Sequence, residues 1–370
     1  MEKTDILAIN PGSTSTKIGV FRDEEKLFEK TIAHDPDKLL SYGTIPGQLP
    51  YRMEILQTVL TEMRYPLADL AAVVGRGGIL VGLKGGGYYA DAALCKAMKR
   101  PDIPQHASNL GAMMAWELAA PLHIPSYIYD STVGCELTEL AKISGLAEIE
   151  RYGCFHVLNA RAQAMHYADA IGADYRKLQL IVCHMGGGIT VSALKDGKII
   201  DGSSYDDGPM SPERTGGIPL ILWTDLCYSG KYTREEMQKK ICGKGGLYSY
   251  LGTTSVQEVE HRIAQGDRQA ETVLEAMAYQ TAKAIAAAAV TFAGKVDAVI
   301  LTGGAAHSRY LTEKVKAYAG WVGEFVIMPG EDELGALARG AQRILRGTEN
   351  ARRYPEETQV SEGQPSEKKG

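Results

Sequence analysis

A hydroxyl-rich turn near the amino terminus has the residue types of a phosphate-binding loop. It covers residues 10–17 and lies between two apolar runs that predict β-strands. Gly12 allows backbone N–H groups to approach an anion closely. Ser13 and Ser15 supply hydroxyl donors, and Lys17 adds a compact positive charge. Because such turns are common on protein surfaces, the turn alone is equally compatible with a solvated loop that binds nothing.

A second turn of similar layout opens the other half of the chain. His184 ends an apolar run, and three consecutive glycines, 186–188, follow closely. A further strand then leads to the hairpin signal Asp196-Gly197. The order of strand, glycine turn, strand, charged tight turn and strand therefore occurs once in each half. This repetition predicts a duplicated fold with two phosphate-binding turns.

The remaining pattern is that of an α/β protein, because apolar runs typical of strands alternate with helical periodicity. We expect helices at residues 52–63, 109–118, 233–241, 255–265 and 268–292, and strands at 71–74, 126–129 and 298–301. A chain of 370 residues exceeds the usual size of one hydrophobic core, which predicts two domains. We place them at 1–155 and 156–333, with a helix at about 334–346 completing the first. Residues 348–370 are charged and poor in large apolar side chains, so we expect a mobile polar tail.

The composition argues against two classes of partner. The formal net charge is −5 and no Lys/Arg-rich run contains aromatic residues, so nucleic-acid binding is not expected. The first residues lack the apolar stretch of a signal peptide, and the longest apolar stretch, at 284–293, is too short to span a bilayer. We therefore expect a cytoplasmic protein that does not contact a membrane.

A third glycine turn makes a family resemblance specific. Gly303 and Gly304 follow a buried strand, where α/β sheets place ligand-binding turns. Over about residues 5–345 the chain resembles the acetate and butyrate kinases of the actin, sugar kinase and Hsp70 superfamily, and among these the butyrate kinases most. The motifs that carry the resemblance are Asn10-Pro-Gly-Ser-x-Ser-x-Lys17, Gly75-Arg76-Gly77-Gly78, His184-Met-Gly-Gly-Gly188, Gly208-Pro-Met-Ser-Pro-Glu-Arg214-Thr-Gly-Gly217 and Thr302-Gly-Gly304.

The resemblance implies a fold, a reaction and partners. The fold would consist of two duplicated ribonuclease H-like (actin-like ATPase) α/β domains with a nucleotide cleft between them. The reaction would be the reversible phosphorylation of a short-chain carboxylate to an acyl phosphate, by direct transfer from ATP to leave ADP, with Mg²⁺. A homodimer or higher homo-oligomer is implied by the family alone.

The same resemblance assigns roles to individual residues. Phosphoryl transfer depends on alignment and on groups that stabilise charge, and the expected catalytic residues are Arg76, Arg214, His184 and Asp130. The expected nucleotide contacts are Asn10, Gly12, Ser13, Ser15, Lys17, Gly186, Gly187, Gly188, Gly303 and Gly304. The expected substrate contacts are Arg76, Gly78, His106, Phe155 and His156. The expected Mg²⁺ carboxylates are Glu331, Glu333 and Asp130.

Ordinary structural roles remain open for several of these residues. Arg76 and Arg214 could each form a surface ion pair, and Asp130 could cap a helix that begins at Ser131. The residues after Arg76 bear on the choice of acid, because Gly77-Gly78 stand where acetate kinases have two apolar side chains that line the methyl pocket. We therefore expect a larger pocket that prefers butyrate or isobutyrate, with acetate or propionate as the alternative substrate.

Three other functions are less well supported by the sequence. The segment Gly85-Gly86-Gly87 partly matches a dinucleotide-binding fingerprint, but it lacks a βαβ unit and an acidic residue about 20 positions later, so we expect a flexible turn. A sugar or polyol kinase needs an aspartate base, whereas a carboxylate acceptor is already an anion. A non-enzymatic ATP switch needs a partner-binding module, and residues 348–370 are too short and polar to supply one.

Overall fold

The computed structural model describes residues 4–355, which form two compact units. The first unit comprises the described residues up to Leu80, together with Gly86–Tyr129 and the residues from Leu337 on. The second comprises Val81–Gly85 and Asp130–Ala336. Each unit contains one mixed β-sheet with helices packed against it. In the part of the chain between residues 4 and 355, no helix has the length and apolar character needed to cross a bilayer.

The helices and strands follow one another with short connections. Those of the first unit are β1 (Asp5–Pro11), β2 (Ser15–Arg22), β3 (Glu25–Ala33), α1 (Pro36–Ser41), α2 (Leu49–Glu62), β4 (Leu70–Arg76), β5 (Gly87–Tyr89), α3 (Ala92–Met98), α4 (Leu110–Ala119) and β6 (Ser126–Tyr129). Those of the second are α5 (Glu139–Lys142), α6 (Val157–Ala170), β7 (Leu180–Met185), β8 (Ile189–Lys195), β9 (Lys198–Ser203), α7 (Leu220–Cys227), α8 (Arg234–Ile241), α9 (Gly246–Leu251), α10 (Val256–Ala264), α11 (Arg268–Ala289), β10 (Ala298–Gly303), α12 (Arg309–Ala319) and β11 (Phe325–Pro329). The helix α13 (Glu333–Leu345) begins in the second unit and continues in the first.

The strand order of the second sheet repeats that of five strands of the first, in which β5 is an additional edge strand, and this confirms the predicted duplication. The first sheet has the order β3-β2-β1-β4-β6-β5 and the second has β11-β10-β7-β8-β9. In each, three successive strands pair antiparallel, as β1 to β3 and as β7 to β9. Two later strands then add in parallel beside the first of the three, β4 and β6 in one sheet and β10 and β11 in the other.

Local sequence explains several of these elements. Asp196 and Gly197 both have positive φ, 52° and 73°, as a two-residue hairpin between β8 and β9 requires. The helix α11 begins at Asp267, whose carboxylate accepts a hydrogen bond from the backbone N–H of Ala270. The strands β7 and β10 are buried along their whole length, which agrees with the apolar runs that open their sequences.

Two predicted loops are ordered in the structure. Gly87–Tyr89 forms β5 at the edge of the first sheet, so the expected flexible turn is wrong at these residues. Arg352 then adds to that edge, because its N–H donates to Gly87 O and its carbonyl accepts from Tyr89 N, both at 2.9 Å. An open strand edge offers unpaired backbone groups, and a composition-based prediction does not detect such pairing. Arg352 of the predicted tail is thus paired with β5, and the tail beyond residue 355 lies outside the described residues.

Candidate active site

The turn between β1 and β2 is held from inside the first unit by Arg52 of α2. The Gly12 N–H closes the turn by donating to Ser15 O at 2.7 Å. Arg52 Nη2 donates to Ser13 O at 3.3 Å, while Nη1 donates to Ser15 O at 3.4 Å and to Thr16 Oγ1 at 3.0 Å. The turn is thus fixed on its inner side by a buried guanidinium.

The five residues predicted to contact a nucleotide in this unit lie on this one hairpin. Asn10 is opposite Lys17 in the register of β1 and β2, Gly12 and Ser13 lie in the connection between the two strands, and Ser15 is the first residue of β2. Ser13 and Lys17 are exposed, and Ser15 is half-buried. The hydroxyls and the ammonium are therefore presented on the outer side of the turn.

Arg76 and His106 lie near each other in the first unit. Arg76 is the last residue of β4 and is 8% exposed. His106 precedes a short 3-10 turn, and its Nδ1 lies 2.8 Å from Ser108 Oγ. Desolvation of the His106 ring and the positive charge of Arg76 both lower the pKa of His106. The structure thus brings two of the predicted substrate residues into electrostatic contact.

The space beside Gly78 is filled, which corrects the argument for a larger acyl pocket at that residue. A Cβ at Gly78 would lie 2.5 Å from Asn109 Oδ1 and 2.9 Å from Met98 Sδ. Asn109 Oδ1 also accepts a hydrogen bond from Ile79 N at 2.8 Å. The volume that Gly78 leaves is therefore occupied by Met98 of α3 and by Asn109, which lies just before α4. These residues are distant from Gly78 in the sequence.

In the second unit, the glycine turn after β7 is closely packed against the Arg214 loop. Gly186 N donates to Gly188 O at 2.9 Å, and Ser211 Oγ donates to Gly187 O at 2.8 Å. A Cβ at Gly188 would lie 2.2 Å from both Cζ and Nη1 of Arg214. The absence of a side chain at Gly188 is thus what allows the guanidinium to lie against the turn.

His184 is held by contacts on three sides at the end of β7. Its Nδ1 lies 3.0 Å from Asn159 Oδ1, and its ring stacks on that of His156 with 3.7 Å between the ring centres. His156 Nδ1 in turn lies 2.9 Å from Thr190 Oγ1. The third contact is 3.8 Å from His184 Nε2 to Glu331 Oε2. An amide oxygen accepts hydrogen bonds, so Asn159 places a proton on Nδ1 of His184 and leaves Nε2 facing Glu331.

The Gly303 turn positions Glu331. Gly303 N donates to Gly330 O at 3.1 Å, and Gly330 N donates back to Gly303 O at 2.9 Å. Gly303 has a φ of 85°, and a Cβ there would lie 2.5 Å from Met185 O at the end of β7. Gly303 therefore lies against the end of β7, next to His184, and its hydrogen-bonded partner Gly330 directly precedes Glu331. Gly304 is exposed, with open space around its Cα.

Comparisons with known proteins identify the family. Residues 140–318 match the Acetokinase family. Two proteins described as probable butyrate kinases, from Listeria monocytogenes serotype 4a and serovar 1/2a, are 43% and 44% identical over 352 residues, which is 95% of this chain and 99% of each relative. The chain belongs to the acetokinase family. This confirms the resemblance inferred from the motifs.

Solved structures similar to this acetokinase-family chain share its fold. Porphyromonas gingivalis acetate kinase has a TM-score of 0.76 at 20% identity, covering 92% of this chain and 100% of its own. A Francisella tularensis propionate kinase has a TM-score of 0.72 at 17% identity, covering 91% of this chain and 98% of its own. The predicted actin-like ATPase fold, with two duplicated α/β domains, is confirmed.

The predicted metal residues of this acetokinase-family chain do not form one cluster. Within residues 4–355, no group of three or more His, Cys, Asp or Glu side chains is placed to hold a metal ion. Asp130, which is 1% exposed, instead accepts a hydrogen bond of 2.6 Å from Arg161 Nη1. No helix begins at Ser131, so the alternative capping role is wrong as well. The three predicted metal carboxylates lie in different surroundings. Asp130 forms an ion pair with an arginine, Glu331 lies beside His184, and Glu333 begins α13.

The structure also changes the set of important residues. Phe155 is 3% exposed and belongs to a hydrophobic core cluster, so it is placed as a packing residue rather than an open substrate contact. Sequence reasoning gave no role to Arg52 or Arg161. A polar residue within an otherwise apolar helical face was the only available signal for the two arginines, which are 1% and 6% exposed.

Proposed function

We propose that this chain is a butyrate kinase, which transfers the terminal phosphoryl group of ATP to the carboxylate of butyrate and also catalyses the reverse reaction. The observation that carries this proposal is the identity of 43% and 44%, along nearly the whole chain, to proteins described as probable butyrate kinases. The likenesses to acetate and propionate kinases are below 25% identity and support the fold alone.

The two phosphate-binding turns support a polyphosphate substrate. The turn at residues 10–17 offers exposed hydroxyls and the Lys17 ammonium, and the turn at 186–188 offers glycine backbone that a phosphate can approach. In this proposal the nucleotide is ATP or ADP, and Gly303 and Gly304 contact its adenosine end.

The chemistry requires positioning and charge stabilisation more than proton transfer. Butyrate is ionised at neutral pH, so one carboxylate oxygen attacks the terminal phosphorus while the bond to the bridging oxygen of ADP breaks, and no general base is needed. Arg76 and Arg214 suit this reaction, because a guanidinium can bind a carboxylate or a phosphoryl group with two parallel hydrogen bonds. The close packing of Arg214 on Gly188 would hold its charge beside the phosphates.

His184 acts in this proposal as a stabiliser of the transferring phosphoryl group. Asn159 and the stacked His156 ring fix its orientation, with Nδ1 toward Asn159 and Nε2 toward Glu331. A fixed hydrogen-bonding group costs no reorganisation when charge develops in the transition state.

Magnesium is proposed as the cofactor, with Glu331 as its principal protein ligand. Mg²⁺ prefers oxygen ligands and usually keeps several waters, so one carboxylate together with substrate phosphates suffices. Glu331 fits this requirement because its side chain is 42% exposed beside His184, whereas Asp130 is buried in an ion pair. When bound, the ion would neutralise part of the phosphate charge.

The test is a comparison of acceptors with the purified protein. ADP release is measured with acetate, propionate, butyrate, isobutyrate, glycerol or no acceptor, and acyl phosphate is trapped with hydroxylamine. We expect the highest kcat/KM for butyrate or isobutyrate, at least about 10-fold above acetate, because each methylene in an apolar pocket contributes about 1–3 kcal/mol. A preference for acetate would contradict the assignment of butyrate. Turnover with glycerol, or equal ADP release without acceptor, would contradict a carboxylate kinase.

A further inference from the structure

Arg52 is a buried charge beneath the turn at residues 10–17, and every hydrogen bond it makes goes to an uncharged oxygen. Besides its bonds to the turn, its Nε and Nη2 donate to Gln48 Oε1 at 3.2 and 3.0 Å. Arg52 is 1% exposed. Among the residues from 4 to 355, no carboxylate pairs with it. The guanidinium charge is thus buried without a compensating negative charge from these residues.

Burial of such a charge is unfavourable, since arginine loses its hydration and gains only neutral acceptors. The desolvation accordingly lowers the pKa of Arg52 to about 10. A large apolar side chain could fill the same volume at the base of α2 without this penalty. The presence of arginine therefore indicates a requirement other than packing.

The hydrogen bonds show what the arginine does to the turn. A trans peptide directs its C=O and the following N–H in opposite directions. Because Arg52 draws the Ser13 carbonyl inward, the N–H of Thr14 is directed away from Arg52. The Thr14 carbonyl is held in the same way by His34 N at 2.9 Å, which directs the N–H of Ser15 away from His34. Ser13 and Thr14 are exposed, so the outer side of the turn is open to a ligand.

His34 and Thr16 complete the network. Thr16 Oγ1 accepts from Arg52 and lies 2.8 Å from His34 Nε2. Burial, and secondly the charge of Arg52, lower the pKa of His34 to about 4, so its ring is neutral at physiological pH. Neutral His34 and the Thr16 hydroxyl share one hydrogen bond, and Arg52 is the only cation of this network.

We propose that Arg52 is a positioning residue for the phosphates of the nucleotide: it holds the turn at residues 10–17 in its anion-binding form, and a phosphate bound on the outer side compensates its buried charge. The identification of the ligand as ATP or ADP rests on the proposed function. The prediction concerns the phosphates alone, since the adenosine end and the carboxylate are assigned to other residues.

The test uses Arg52→Met, which removes the charge and the hydrogen bonds, and Arg52→Lys, which keeps the charge but cannot bond to as many acceptors at once. Lys30→Met is the matched control, because Lys30 is an exposed cation on β3 of the same unit. The dissociation constants of ADP and of adenosine are measured by calorimetry on the full chain, and folding is checked by circular dichroism. The KM values for ATP and butyrate are measured in parallel.

We expect Arg52→Met to raise the dissociation constant of ADP and the KM of ATP at least tenfold, with adenosine binding and the KM of butyrate within twofold of the wild type. Arg52→Lys should be intermediate, and it provides the decisive measurement if Arg52→Met does not fold. Unchanged ADP binding in a folded variant, or equal losses for ADP and adenosine, would overturn the proposal. The two failures can be told apart. If ADP binds to the wild type and not to these variants, while the wild type does not phosphorylate butyrate, only the proposed function fails.

Discussion

Replacing Gly188 with alanine is expected to displace the Arg214 guanidinium while leaving the fold intact. The new Cβ would lie 2.2 Å from Cζ and Nη1 of Arg214, whereas ordinary van der Waals contact begins at 3.4 Å. One of the two groups must therefore move by at least about 1.2 Å, the difference between these distances.

The glycine turn is the more constrained of the two groups. Gly186 N donates to Gly188 O, and the Gly187 carbonyl accepts from both Ser211 Oγ and Glu213 N, at 2.8 and 3.1 Å. The Arg214 side chain is half-buried, and its Nε has no hydrogen-bond partner among the described residues, so it yields more easily. A misplacement of about 1 Å in a group that aligns the reaction can reduce kcat by about 100-fold, which is about 2.7 kcal/mol in the activation barrier.

The assay measures kcat, both KM values and the thermal unfolding temperature of Gly188→Ala. The matched control is Gly145→Ala, because Gly145 is an exposed glycine of the same unit with no atom within 4 Å of a new Cβ. We expect a loss of about 100-fold in kcat for Gly188→Ala, with overpacking costing about 1–3 kcal/mol of stability, and wild-type behaviour for Gly145→Ala. A folded Gly188→Ala protein with kcat within threefold of the wild type would refute the reasoning, since Arg214 would then not need its present position.

Three further predictions concern charged or titratable groups. Asp130→Asn should cost about 3 kcal/mol of stability by removing the negative charge that pairs with the buried Arg161, with little change in Mg²⁺ dependence. Glu331→Gln should raise the Mg²⁺ concentration for half-maximal activity about tenfold with unchanged stability. If instead Asp130→Asn changed the Mg²⁺ dependence of the rate and Glu331→Gln lowered the melting temperature, Asp130 would be restored as the metal ligand. Between pH 7 and pH 4.5 the free energy of unfolding should fall by about 2 kcal/mol, because unfolded His34 protonates near 6.5 whereas folded His34 keeps a pKa of about 4. The free energy of unfolding, measured by urea titration at several pH values, should depend less steeply on pH in His34→Gln than in the wild type. An equally steep pH dependence would show that other groups cause the acid sensitivity.

The sequence by itself determined the repeated architecture. The three-strand pattern at the start of each half, the Asp196-Gly197 hairpin and the strands β6 and β10 follow from side-chain periodicity and glycine placement, which act over a few neighbouring residues. The motifs around the glycine turns also sufficed to identify the family, because several short patterns in one order are specific even when each alone is not.

Tertiary structure decided which groups face one another. Arg52 reaches Ser13 across 39 positions of the chain, and Arg161 reaches Asp130 across 31. Local patterns contain no information on such distant contacts, so a carboxylate assigned to a metal is found in an ion pair. The volume left free by Gly78 is likewise occupied by Asn109 and Met98, and part of a polar tail pairs with β5. Periodicity and turn chemistry specify elements, whereas the partner of a buried charge or a strand edge depends on packing between segments far apart in the chain.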